Sequence, residues 1–282
     1  MRIAIASGKG GTGKTTIATG LAHTLARDHS VWYKDCDVEA PNGHLFFSLD
    51  LDQNSEAVTR IPEIDDRKCT ACGKCVEVCQ FHAIAQIGKK ILVFPQLCHG
   101  CGSCTWNCPE NAIKEIPNPI GKLEAGQTLE GIHFSHGILT ISEPMPTPVI
   151  RQLKRWQKPE DGSITIFDAP PGASCSVVET LRSVDFVILV TEPTPFGLHD
   201  LKQMTGILDD MSIKSGIIIN RENGPYSPLE DFCLQVSIPV LLRIPYDRQI
   251  AEGIARGKLI TDINSEYLAA FKSMFEQIKT IV

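Results

Sequence analysis

The chain has 282 residues, 43% hydrophobic and 21% charged, with a formal net charge of -6, which excludes a disordered chain and suits one α/β core with a small additional module. No run of lysine or arginine stands out, so a nucleic-acid backbone is not expected as the main partner. No apolar stretch approaches the roughly 18 to 20 residues of a membrane-spanning helix, and MRIAIASGKGG leads straight into a strand and a glycine loop without a cleavable leader, so we expect no membrane and a cytoplasmic protein.

Residues 2–6 form a short β-type run. The loop Gly8-Lys9-Gly10-Gly11-Thr12-Gly13-Lys14-Thr15-Thr16 follows, and residues 15–26 carry helical spacing. A glycine-rich loop between a strand and a helix lets backbone N–H groups converge on phosphate oxygens at the positive end of the helix. Lys14 then suits the terminal phosphates and the Thr15 hydroxyl a Mg2+ position. Residues 30–35 read as the second strand, ending in Asp35-Cys36-Asp37-Val38-Glu39-Ala40-Pro41-Asn42.

Between about residues 62 and 118 the strand and helix alternation breaks, with Pro117 and Pro119 at the exit. Six basic and six acidic residues balance this insertion electrically, and its halves repeat at a period of 29 residues. Cys69, Cys72, Cys75 and Cys79 give C-x2-C-x2-C-x3-C, and Cys98, Cys101, Cys104 and Cys108 repeat it. Eight of the eleven cysteines in regular spacing point to metal rather than disulfides. Soft thiolates in this run suit 4Fe-4S clusters, and in two-cluster proteins the fourth cysteine of each run ligates the other cluster. One cluster should use Cys69, Cys72, Cys75 and Cys108, and the other Cys98, Cys101, Cys104 and Cys79. Gly73, Gly100 and Gly102 let the backbone wrap closely. Gln80 stands where Pro109 follows the second run, so hydrogen bonding and potential are expected to differ between the clusters. His99 and Trp106 are expected to pack around them; Cys36, Cys175 and Cys233 remain outside the runs, and Cys175 is expected to be a small buried thiol.

Residues 120–141 look like a hairpin returning to the main sheet. Asp168-Ala169-Pro170-Pro171-Gly172 follows a strand at 164–167, and further apolar runs at 186–190, 216–219 and 240–244 are separated by helix-length stretches. That alternation predicts a mostly parallel sheet covered by helices. The last segment, 265–282, spaces Leu268, Phe271, Phe275, Ile278 and Val282 as the inner face of a final helix.

Lys9 inside the phosphate loop resembles the deviant Walker A motif of the MinD, ParA, Mrp and nitrogenase iron protein superfamily. The resemblance implies a P-loop ATPase domain over residues 1–61 and 119–282, interrupted at 62–118 by a two-cluster ferredoxin module. It implies that Lys9 reaches the nucleotide of a partner subunit in an ATP-dependent homodimer. Asp37 would orient the attacking water, Asp35 would lie near Mg2+, Asp168 would hold Mg2+ through water, and Gly172 would present its N–H to the γ-phosphate. Asn220, Arg221 and Pro245 would line the adenine. The implied activity is an ATPase whose dimer closure is coupled to electron transfer through the clusters, serving a redox or metalloprotein partner. An iron-sulfur carrier or scaffold of the Mrp type is the alternative, but scaffolds hold labile clusters whereas ferredoxin spacing predicts tight ones. Acidic charge and the clusters argue against a ParA-like positioning protein.

Overall fold

The computed structural model describes residues 1–282. In chain order the elements are β1 (Arg2–Ala6), α1 (Lys14–Leu25), β2 (Val31–Asp35), β3 (Gln53–Ile64), α2 (Lys74–Glu77), β4 (Ile84–Ile87), β5 (Lys90–Val93), α3 (Ser103–Trp106), β6 (Ile113–Gln127), β7 (His133–Leu139) and α4 (Thr147–Arg155). They continue with β8 (Ile164–Asp168), α5 (Cys175–Leu181), β9 (Phe186–Thr191), α6 (Pro195–Asp210), β10 (Ser215–Glu222), α7 (Ser227–Val236), β11 (Val240–Pro245), α8 (Arg248–Ala255), α9 (Ile260–Ile263) and α10 (Glu266–Ile281).

Nine strands form one sheet in the order β11-β10-β9-β1-β8-β2-β7-β6-β3. The first seven pair in parallel, while β6 runs antiparallel to both β7 and β3. All residues of β2, β8 and β9 are buried, as strands covered on both faces require. Ile3, Ile5, Ile166 and Ile188 face a core shared with α1 and α10, and Ala4, Ala6, Phe167 and Leu189 face one shared with α4 to α7. Phe271, Phe275 and Ile278 of α10 are buried as its spacing predicts, while Val282 is exposed. No helix is long and apolar enough to cross a membrane.

The segment expected as a simple insertion is built differently at its roots. β3 and β6 pair from Gln53↔Ala125 to Ile64↔Ile113, so both strands run through positions 62 and 118. β7 accompanies β6 only from Gly121 onward. Beyond it a two-stranded ribbon of about seven residues a side extends roughly 20 Å at about 3.4 Å per residue. Pro62, Pro117 and Pro119 all lie in this ribbon, where each strand has only one partner and a missing N–H is tolerated. At its far end α2, α3 and the β4-β5 hairpin pack around Cys75, Ile84, Ile91, Cys104 and Ile113.

Candidate functional site

The carboxyl ends of β1, β2 and β8 lie side by side, with Ile5 and Asp35 both in register with Asp168. The loop after β1 therefore faces two carboxylates. Lys14, nearly buried, donates from Nζ to Ser7 Oγ at 3.0 Å and to the Lys9 carbonyl at 3.4 Å. Burial pulls its pKa down, and Asp168, Asp37 and Asp35 oppose that. Gly11 and Gly13 take positive φ, and Gly13 caps the start of α1 in the left-handed region, a conformation that costs a side-chain residue more than glycine. Thr16 is half-buried in the first turn of α1.

Asp168 is fully buried. Its Oδ2 accepts the Tyr33 hydroxyl at 2.9 Å, while Oδ1 has no partner, nor has the buried Thr12 hydroxyl. Burial raises the Asp168 pKa, and the Thr15 hydroxyl, Lys14 and Tyr33 pull the other way. A buried carboxylate oxygen without a donor is costly.

Asp35, also fully buried, has both oxygens engaged by N–H groups of Asp37 (3.1 Å), Asn42 (3.0 Å) and Gly43 (2.8 Å). Burial and the neighbouring Asp168 push its pKa up. It braces the loop that carries Asp37. Asp37 is half-buried, its carboxyl raised by burial and pulled back by Lys14.

Lys9, Arg221, Asn220 and Gly172 make contacts within the chain itself. Lys9 Nζ forms an ion pair with Glu192 of its own chain at 3.2 Å and remains 39% exposed; Glu192 also holds Arg221, whose φ is +54°, at 2.8 Å. Asn220 spends its carboxamide on the Thr12 carbonyl (2.7 Å) and the Arg221 N–H (2.9 Å). The Gly172 N–H donates to the Ser7 carbonyl at 3.1 Å. Pro245 ends β11 and is exposed. Sequence reasoning missed Tyr33 and Glu192; only a tyrosine two residues before Asp35 and a carboxylate directly after β9 hinted at them.

The eight cysteines of the repeat are free thiols lining two hollows. Cys69, Cys72, Cys75 and Cys108 line one, and Cys79, Cys98, Cys101 and Cys104 the other. Nowhere in the chain do three or more His, Cys, Asp or Glu side chains form a group able to hold a metal ion. Ile64 and Ile113 flank the first hollow, and Arg60, Pro62 and Glu115 the second, so the second lies nearer the main sheet along the ribbon. Gly73 and Gly102, with φ of +79° and +75°, precede α2 and α3 equivalently.

The two runs are alike at the position expected to separate them. Cys79 Sγ accepts the Ala83 N–H and Cys108 Sγ the Ala112 N–H, both at 3.3 Å. Gln80 in place of proline therefore leaves that contact unchanged. The asymmetry falls at Cys101, whose sulfur lies 3.5 Å from the Ser103 hydroxyl, which lowers its pKa; the first run has Lys74 there.

Cys36 and Cys233 are buried, whereas Cys175, expected to be buried, is not, and burial pushes Cys36 up to about 12. Cys175 is exposed because it opens α5 directly after the Asp168 loop. His99 stacks on Phe81 with centroids 3.7 Å apart, but Trp106 is 88% exposed, since α3 ends there and turns the ring outward. His133 stacks on Trp32, and the buried His136 meets Glu124 at 3.0 Å.

The chain matches the profile of the CobQ/CobB/MinD/ParA nucleotide binding domain over residues 3–260. A protein of Methanocaldococcus jannaschii is 34% identical over 285 residues, covering 100% of this chain and 98% of its own. A second protein of that organism, described as ATP-binding, is 25% identical and covers 99% and 97%. Among solved structures, the septum site-determining protein MinD of Pyrococcus horikoshii with Mg-ADP superposes with a TM-score of 0.60 at 20% identity, covering 99% of this chain and 96% of that one.

Proposed function

Because this chain belongs to the CobQ/CobB/MinD/ParA family of nucleotide-binding P-loop ATPases, we propose that it couples ATP-driven dimerisation to electron transfer through two 4Fe-4S clusters in a ferredoxin-type module. The observation that carries the second half is the sorting of eight free thiols into two hollows, each made of three cysteines from one run and the fourth from the other. That exchange is the ligand pattern of two-cluster ferredoxins. The bound clusters supply one-electron storage. Around them the chain contributes the N–H contacts from Ala83 and Ala112, and the apolar walls from Ile64, Ile91 and Ile113 exclude water.

At the nucleotide site, the unpartnered Asp168 oxygen and the adjacent Thr15 hydroxyl suit Mg2+. Asp35 shapes the loop that carries Asp37. In our reading Lys14 leaves Ser7 Oγ for the terminal phosphates, and Gly172 exchanges the Ser7 carbonyl for a γ-phosphate oxygen. Asp37 orients a water and accepts its proton as the oxygen attacks the terminal phosphorus; ADP leaves and inorganic phosphate forms. Lys9 is released from Glu192 to reach the partner's nucleotide, at a cost of no more than about 1 kcal/mol for an ion pair this exposed. The partner class is a redox or metalloprotein acceptor, and the module comprises the residues carried by the ribbon between Ile64 and Ile113.

The test is the iron content of anaerobically purified protein. About eight irons and eight sulfides per chain are expected from two four-iron clusters. Stoichiometric zinc in place of iron would overturn the electron-transfer reading and leave an ATPase with a structural metal module.

A further inference from the structure

The end of the sheet opposite the phosphate loop holds a feature that nucleotide binding does not use. Where β1 and β8 begin, a cavity of about 640 Å³ opens beside the carboxyl ends of α4 and α5. Seven cationic side chains line it against three carboxylates, in a chain whose net charge is -6. We propose that this cavity binds a small, multiply charged phosphate compound, distinct from the nucleotide held by the loop after β1.

The cations divide into walls and donors. Lys34, fully buried in β2, donates to the carbonyls of Leu153, Trp156 and Gln157 at 3.0, 2.5 and 3.2 Å. Lys154 does the same for Glu179, Thr180 and Arg182 at 2.8, 2.6 and 2.7 Å. Each ammonium closes the end of one helix and has no donor left. Both remain positive charges in the wall with no carboxylate ion pair. Desolvation and, to a smaller extent, the charge of Arg2 lower both to about 8, against an opposing contribution from Cys36. Arg2 and Lys154 also share one face partner, lying 5.3 and 5.1 Å from the Phe167 ring centre.

Arg2, Arg155 and Lys158 make no ion pair, and Arg155 and Lys158 are exposed at the mouth. Glu160 and Asp161 are on the lining but pair with none of them, while Glu179 is taken by Arg151 at 3.0 Å and Arg182 at 3.2 Å. Two guanidinium forks and an ammonium thus remain free above two fixed charges. Guanidinium groups match phosphate bidentately. A concave pocket favours a compact anion over a nucleic-acid backbone, which needs an extended basic track.

The location gives such a ligand a consequence. α5 follows the Asp168 loop, Arg151 ties it to α4, and Gln152 of α4 grips the backbone N–H and carbonyl of Val58 in the ribbon at 3.1 and 3.0 Å. An anion drawing Arg155 of α4 toward Arg2 of β1 acts on α4 directly and on α5 through the Arg151–Glu179 pair.

The experiment is calorimetric titration of inorganic pyrophosphate into the full chain saturated with Mg-ADP, which occupies the phosphate loop. One pyrophosphate per chain is expected, with at least tenfold weaker binding in Arg155→Ala/Lys158→Ala. Neither side chain has an ion-pair or hydrogen-bond partner, so the variant should melt with the wild type. Equal binding by wild type and variant overturns the proposal and returns the anion to the phosphate loop. Citrate binding as tightly as pyrophosphate overturns the phosphate class. A single-stranded oligonucleotide that binds with the same dependence on Arg155 and Lys158 and displaces pyrophosphate overturns the small-ligand reading. Iron content does not enter any of these outcomes, so the test is independent of the cluster assignment.

Discussion

Two glycines of the phosphate loop separate backbone strain from collision. Gly11 and Gly13 have φ of +78° and +97°. A Cβ at Gly11 meets no atom within 4 Å, whereas one at Gly13 would collide with Asn220 Nδ2, the group that donates to the Thr12 carbonyl at 2.7 Å. Gly11→Ala therefore adds only left-handed strain, about 1 to 2 kcal/mol, or about 5- to 30-fold in ATP affinity. Gly13→Ala adds the same strain and also displaces a buried hydrogen bond, about 1 to 3 kcal/mol more, so its loss should exceed that of Gly11→Ala by at least about fivefold. Competition of ATP against a fluorescent analogue measures both, with thermal melting to verify folding. Equal losses in the two variants would refute the role of Asn220 as the anchor of this loop.

Three further outcomes are expected. ATP with Mg2+ should convert monomer to dimer in light scattering; Asp37→Asn should prolong the dimer by slowing hydrolysis, Lys9→Ala should weaken it, and unchanged mass throughout would remove the trans-lysine reading. Nucleotide should shift cluster potential by about 40 to 130 mV, the equivalent of a coupling of about 1 to 3 kcal/mol for a one-electron couple; spectroelectrochemical titrations without nucleotide, with ADP and with ATP on Asp37→Asn test this, and equal potentials would make the module a passive store. Lys34, lowered to about 8 from an unfolded value of 10.5, binds its proton less tightly in the folded chain, so stability rises with pH between those values by up to about 3 kcal/mol. Denaturant titrations at pH 7.5 and 10 should show a smaller rise in Lys34→Met than in wild type.

What could be read in the sequence was what is local. The phosphate loop is nine consecutive residues whose glycine spacing is its own signal, and the parallel strands from 164 onward are unbroken apolar runs because both faces are covered. The two cysteine runs were legible through their 29-residue repeat. The ribbon was not, because Pro62, Pro117 and Pro119 look like breakers until pairing shows that each sits where a strand has a single neighbour. Tyr33, Glu192 and Lys34 act through partners 119 or more residues away for Tyr33 and Lys34, and 29 and 183 residues away for Glu192. No window of sequence contains such a pair. Lys34 in particular interrupts the apolar pattern of β2, and its three carbonyl partners exist only once α4 has docked.

The ribbon is also where the two halves of the proposed function meet. Val38, next to Asp37, accepts the Leu139 N–H at 2.8 Å, and Leu139 pairs with Gly121 of β6, the strand that continues to Ile113 and the cysteine hollows. A second route runs from the Asp168 loop through α5, the Glu179–Arg151 pair and Gln152 to Val58 of β3. Val58 lies beside the irregularity at Ala57/Val58, where β3 shifts register against β6. Bulges bend a strand locally, so in the proposed cycle each loop closing on the γ-phosphate would pull on a different strand of one ribbon at its root. Displacement of one strand relative to the other reaches Arg60 and Glu115 before it reaches Ile64 and Ile113. The nearer hollow, lined by Arg60 and Glu115, should therefore respond more strongly than the farther one. Nucleotide would then move one cluster potential past the other, and that difference, more than the size of either shift, is what gives electron flow a direction.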